Sequence, residues 1–231
     1  MAQLVERLVW DQDAAGSNPA IPTKRGDWLL MYKGLYDNFK HWFHDNRGQV
    51  YFYSDPHFGD EEMKYIRKNY IEDEEQVKRI NSKIGKYDTL VILGDVGNVE
   101  WVKKLHGYKV LVMGNHDTGA NNYKRSFYDS GFVHDNHLFD EVYEGVLIIS
   151  EKLILSHEPI DFPYALNIHG HDHSNLPRDN GFHFNVCAEH IDYTPISLKF
   201  IIETGTLKNI PTIHRVTIDE ATDRKHKKVK I

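Results

Sequence analysis

One cysteine, Cys187, stands among 231 residues. That scarcity excludes an intrachain disulfide, a thiolate zinc cluster and an iron–sulfur centre, and it points to a reducing compartment, the cytoplasm. Long apolar runs are also missing. Nothing approaches the roughly 20 consecutive apolar residues needed to cross a bilayer, and the opening "MAQLVERLVWDQDAAG" lacks the basic start and apolar centre of a secretory signal, so no membrane partner is expected. Positive charge is short as well: 28 Lys and Arg against 34 Asp and Glu leave a net charge of −6. Such a balance disfavours a protein that grips nucleic acid through a broad basic face, and there is no strong nucleic-acid signature. A small anionic substrate stays compatible, because a bound cation inverts the charge of its surroundings. What remains, 40% hydrophobic and 27% charged residues, is ordinary for a globular chain, and the length suits one α/β domain.

The chain divides unevenly. Residues 1–26, "MAQLVERLVWDQDAAGSNPAIPTKRG", have no periodicity and resemble the in-frame translation of a transfer-RNA gene, in which "GSNP" is what the T-arm bases would encode. They are expected to be a non-native or disordered extension, with the native start at Met31. The domain proper is expected over 27–212 and a charged tail over 213–231, the latter a solvated end. An aromatic-rich helix is expected within 28–44.

Three apolar runs, "QVYFYS", "TLVILG" and "KVLVMG", each end at a polar or glycine-bearing turn and read as strands. Between the first two lie "DEEMKYIRKNY" and "EDEEQVKRINSKIGKY", acidic first and basic later, as a helix dipole prefers. "FDEVYEGVLIIS" with "KLILSH" reads as a hairpin turning through "EK". "YALNIHG" and "FHFNVCAEH" read as further strands, and a helix is expected to start near Ser197 and to stop at Gly205. Strands alternating with helices place a ligand site at the carboxyl ends of the strands.

Those ends carry more than turn chemistry. "DPH" supplies Asp55 and His57, "GD" supplies Asp95, "GNHD" supplies Asn115, His116 and Asp117, "SH" supplies His157, and "NIHGHDH" supplies His171 and His173. Singly, each polar residue reads as a turn or core residue. Jointly, imidazoles recurring with carboxylates and an amide at strand after strand form a donor set for divalent ions of intermediate hardness. Seven donors, Asp55, His57, Asp95, Asn115, His157, His171 and His173, overfill one ion and suit two sharing a carboxylate.

In this order the motifs resemble the signature of the calcineurin-like metallophosphoesterases, over Asp55 to His173. The resemblance implies an α/β fold, a two-sheet β-sandwich flanked by helices. It implies two divalent metal ions, Mn²⁺ foremost with Fe, Zn or Ni as alternatives. Asp55, His57 and His173 would hold one, Asn115, His157 and His171 the other, and Asp95 would bridge them. His116 would be the catalytic residue that protonates the leaving oxygen. The implied reaction is hydrolysis of a phosphomonoester or phosphodiester by attack of a metal-bridging hydroxide, without a covalent intermediate.

Asn98 in "GDVGN", where serine/threonine protein phosphatases carry Asp, argues against that branch, whereas "NVCAEHIDYTPISL" resembles the small bacterial and phage-type phosphoesterases. A Mn-dependent nuclease of the same fold and a non-catalytic scaffold are the alternatives. His169 is expected to be structural, Cys187 a buried thiol, Gly170 a point of close approach, and Glu189 and His190 sheet-closing polar residues.

Overall fold

The computed structural model describes residues 48–117, 138–150, 152–174, 181–211 and 217–223. The N-terminal extension, the helix expected within 28–44 and the end of the charged tail lie outside the described residues. Two sheets are present. In the first, β1 (Val50–Tyr53), β2 (Thr89–Ile92), β3 (Tyr108–Val112) and β4 (Glu141–Tyr143) run parallel in the order β4-β3-β2-β1, and β9 (Ile196–Ser197) closes the β1 edge antiparallel. In the second, β5 (Leu147–Ser150), β6 (Leu153–Leu155), β7 (Leu166–His169) and β8 (His183–Asn185) follow in sequence, and all but the β5–β6 pair are parallel.

The period of two in each strand sorts side chains between two apolar layers. Val50 and Phe52 of β1, Val91 of β2 with Leu93 beyond its end, and Val110 and Val112 of β3 face Leu153, Leu155, Leu166 and Ile168 of the second sheet in one fully buried layer. On the opposite face, Tyr53, Leu90, Ile92 and Leu111 pack against Val77, Ile80 and Ile84. Val77 and Ile80 belong to α2 (Asp73–Asn81), which opens on Asp73, Glu74 and Glu75 and closes on Lys78 and Arg79, the charge order the dipole favours.

Two expectations need correction. The first expected helix shrinks to one turn, α1 (Met63–Ile66), which buries Met63 alone while Tyr65 and Ile66 face solvent; Arg67 then turns extended. One apolar contact does not support a longer helix. The run "FDEVYEGVLIIS" is not one hairpin arm, because it breaks at Glu144–Val146. Its first half pairs parallel with β3, and its second half crosses to the other sheet to pair antiparallel with β6. The helix α3 (Leu198–Glu203) starts where expected: Ser197 caps it by accepting from the Phe200 N–H at 3.1 Å, and Gly205 follows at φ +79°.

Past Ser54 the two sheets join, because Ser54 bridges Cys187 in parallel and the Ala188 N–H donates to the Ser54 carbonyl at 3.0 Å. The carboxyl ends of β1, β2, β3, β6, β7 and β8 therefore open on the same edge. Among the described residues no helix is long and apolar enough to cross a membrane.

Removing volume from the central layer should be costly. Ile92→Ala, at a fully buried position, is expected to lower stability by about 2–5 kcal/mol. Ile66→Ala, at a 55% exposed position, should change it by less than about 0.5 kcal/mol. Urea unfolding followed by circular dichroism checks the pair; equal costs would contradict the layer assignment.

Candidate metal centre

Hydrogen bonding between β1 and β2 continues past the strands and aligns the loops that follow. Asp55, His57 and Phe58 donate their N–H groups to the carbonyls of Gly94, Asp95 and Val96 at 3.1, 3.0 and 2.9 Å. "DPHF" and "GDV" thus lie side by side, with Asp55, His57 and Asp95 all buried. The price is backbone strain. Of the six non-glycine residues with positive φ among the described residues, four are Asp55 (+54°), His57 (+47°), Asp95 (+53°) and His171 (+66°). Left-handed backbone costs a non-glycine residue on the order of 1 kcal/mol or more, and it concentrates at functional sites.

Glycine provides the close approaches. A Cβ on Gly94, at φ +89°, would collide with the His157 ring and the Gly114 backbone, and one on Gly170 would collide with Ser54 Oγ and Asp55 Oδ2. The segment after Gly170 is not extended. His171 is left-handed, and tight contacts from Asp172 N–H to the Gly170 carbonyl (2.7 Å) and from His173 N–H to the His171 carbonyl (3.1 Å) coil it. His171 and His173 still reach different groups of donors.

Both carboxylates are used asymmetrically. Asp55 Oδ2 accepts from the His171 N–H at 2.8 Å and from Cys187 Sγ at 3.1 Å. Its Oδ1 is buried with no hydrogen-bond partner, 3.9 Å from His57 Nε2 and 3.5 Å from His173 Nε2. Asp95 Oδ1 accepts from the His116 N–H at 2.9 Å. Its Oδ2 faces His57 Nε2 at 3.7 Å on one side and His157 Nε2 at 3.3 Å on the other.

The imidazoles are similarly polarised. His157 donates from Nδ1 to the Leu93 carbonyl at 2.8 Å, His173 bonds from Nδ1 to Glu189 Oε1 at 2.5 Å, and His57 Nδ1 lies 3.4 Å from Asp60 Oδ2. In each ring the outer partner takes Nδ1 and leaves Nε2 aimed inward, the arrangement that metal-binding histidines require. His57 Nε2 is itself buried without a hydrogen-bond partner.

Three groups of converging donors result among the described residues: Asp55, His57 and His173; Asp95, His157 and His171; and His173, Cys187 and Glu189, which shares His173 with the first. Asn115 joins the second, its Oδ1 being 2.8 Å from His157 Nε2 and 3.0 Å from His171 Nδ1. Acceptor atoms that face one another need a positive charge between them. In the metal-free chain protons meet that need. Burial opposes charge on His157, but the bond to Asp95 and the carboxylate charges carry its pKa up to about 9. Burial likewise opposes charge on His173, and Asp55 and Glu189 carry it up to about 10. Burial would raise the Asp55 carboxyl, yet the approach of His173 and the surrounding histidines hold it well below the ordinary range. Nitrogen and oxygen donors converging on unsatisfied buried atoms fit a divalent cation of intermediate hardness.

The seven donors expected from sequence are thus brought together. His116 stands beside them, its Nε2 3.9 Å from Asp95 Oδ2 and its ring 5.2 Å from that of His57. His169, as expected, is buried away from the donors, with Nδ1 on the Gly170 carbonyl at 2.8 Å. Cys187 is a buried thiol; burial first, then the charges of Asp55 and Glu189, push its pKa far up.

Glu189 corrects the expectation of a sheet-closing residue, since it holds His173. Asp117, quoted in "GNHD" but given no role, accepts from the Asp95 and Gly114 N–H groups at 2.7 and 2.9 Å and from that of Val96 at 3.1 Å, fixing the Asp95 loop. Asp60 and Arg67 were not anticipated. For Asp60 the signal was its place three residues after His57; for Arg67 there was none, because only the fold brings it inward.

Comparison with known proteins gives the fold company without naming a chemistry. No family model matches the chain, and no curated protein matches it. A solved structure, a protein of unknown function, AQ665, from Aquifex aeolicus, is similar with a TM-score of 0.55 and 27% identity, over 68% of this chain and 99% of that one.

A cation that binds the folded chain alone should stabilise it. At about 100 times its Kd, Mn²⁺ is expected to add about 2.7 kcal/mol, a rise in Tm of about 5–10 °C that EDTA reverses. Gly170→Ala should abolish the rise. Thermal melts without any response to Mn²⁺, Zn²⁺ or Ni²⁺ would contradict the centre.

Proposed function

We propose that the chain is a metal-dependent phosphoric ester hydrolase. In this reading, for a small phosphorylated substrate or nucleotide, Asp55, His57 and His173 would hold one divalent cation and Asn115, His157 and His171 a second, with Asp95 Oδ2 within reach of both groups. The observation that carries the reading is the position of that oxygen, 3.7 Å from one group's His57 Nε2 and 3.3 Å from the other group's His157 Nε2. The resemblance of the ordered motifs to the calcineurin-like metallophosphoesterases, small bacterial and phage type, supports it, as does a two-sheet architecture with helices. Mn²⁺ is the first choice of ion.

Bound divalent cations would lower the pKa of water towards neutrality and neutralise phosphate oxygens during in-line displacement. The chain's own part is orientation and proton supply. Asp117 and the His116 N–H fix the two ends of the Asp95 loop and carboxylate. The His116 ring, about one-third exposed, borders the donors where a leaving oxygen would emerge, and it is the acid in this scheme. A positioned histidine contributes about 10²- to 10⁴-fold to such a step. The buried Arg67 is already paired with Glu189, which leaves phosphate charge to the cations.

The scheme separates two variants. His116→Ala should retain Mn²⁺ and lose about 10²- to 10⁴-fold on alkyl phosphate esters, with a smaller loss on bis-aryl esters, whose leaving groups need less help. Asp95→Asn should lose metal and activity together. Steady-state kinetics with elemental analysis decides; a metal-replete, fully active Asp95→Asn protein would overturn the assignment. Turnover of single-stranded DNA alone would favour a nuclease, and metal binding with no turnover of any ester a scaffold.

A further inference from the structure

A buried arginine lies behind the first donor group. The Arg67 side chain is 2% exposed. Its Nη2 donates to the Asp55 carbonyl at 2.5 Å and its Nη1 approaches the Pro56 carbonyl at 3.5 Å, while its Nε lies 3.1 Å from Glu189 Oε2. The other oxygen of Glu189 holds His173 Nδ1 at 2.5 Å, and His173 Nε2 faces Asp55 Oδ1 at 3.5 Å. The contacts close a ring: Arg67, the Asp55 backbone, the Asp55 carboxylate, His173, Glu189 and back to Arg67. Four separate parts of the chain meet in it, namely the loop after β1, the end of α1, the coil after β7 and the 3-10 turn Ala188–Ile191.

Burying a guanidinium beside a carboxylate gives little net stability when compared with apolar packing, so the pair calls for another reason. Its reach supplies one. The Arg67 guanidinium hydrogen-bonds the carbonyl of a residue strained at φ +54° and, at the same time, sets its charge 3.1 Å from the carboxylate that aims His173. Among the described residues no equivalent ring backs the second group, where His157 leans on the Leu93 carbonyl and His171 is exposed.

Resting on the reading above, we propose that Arg67 and Glu189 are positioning residues that set the affinity of the cation held by Asp55, His57 and His173 and leave the other cation's affinity alone. The lysine ammonium of Arg67→Lys cannot span both partners. The amide of Glu189→Gln removes the charge that orients His173. Loss of such an outer partner typically costs about 10- to 100-fold in metal affinity.

Calorimetric titration of the full-length, metal-stripped chain with MnCl₂ tests this in two backgrounds. In His171→Ala, which leaves the Asp55 group intact, Glu189→Gln should weaken Mn²⁺ by about 10- to 100-fold, and adding Arg67→Lys should cost little more, since both act through one ring. In His57→Ala, which leaves the Asp95 group, Glu189→Gln should change nothing. Equal losses in both backgrounds, or none in either, would overturn the positioning role. A parent chain that binds no Mn²⁺ would instead remove the proposed function, and this role with it. Should Arg67→Lys not fold, Glu189→Gln carries the test alone.

Discussion

Acceptors that face acceptors are the constraint on which the rest depends. Asp95 Oδ2 and Asn115 Oδ1 both lie within 3.3 Å of His157 Nε2, and Asp55 Oδ1 waits buried and unsatisfied on the other side. Lone pairs in that arrangement repel unless something positive lies between them, and burial magnifies the repulsion by excluding water. A fold keeps such a cluster only if the scaffold is strong enough to hold it and if positive charge, from protons or from a bound cation, neutralises it.

The scaffold's strength is in the parallel pairing of β1, β2 and β3 and the two apolar layers that cover it. These fix six strand ends on one edge, and the hydrogen bonds that continue from Asp55 to Val96 hold the following loops in left-handed turns that the isolated chain would avoid. Strain, close glycine contacts and polarised histidines coincide at the same residues. That coincidence distinguishes the edge from an ordinary polar rim, where turn residues would relax and carboxylates would turn outward.

Much of this was legible in the sequence, and the reasons differ by residue. Apolar runs with polar or glycine-bearing ends were enough for β1, β2 and β3, because parallel central strands bury both faces. The donors were legible because histidine, aspartate and asparagine recur at strand ends where turn chemistry has no use for imidazole. The break at Glu144–Val146 was not, since a strand that changes sheets keeps the alternation of a strand that does not. Nor was Arg67, which looks like any basic residue closing a helix. Glu189 was visible as a residue but not as a partner, because its role depends on a contact with His173, 16 positions earlier, that only the coil after Gly170 creates.

Diffraction from crystals soaked in Mn²⁺, recorded for its anomalous signal, tests the central claim most directly. Two peaks about 3.5–4 Å apart, one between Asp55, His57 and His173, one between Asn115, His157 and His171, with Asp95 Oδ2 between them, are the result this account requires. A map with no peak at the shared edge, or with Mn²⁺ bound only at surface carboxylates elsewhere, would contradict it.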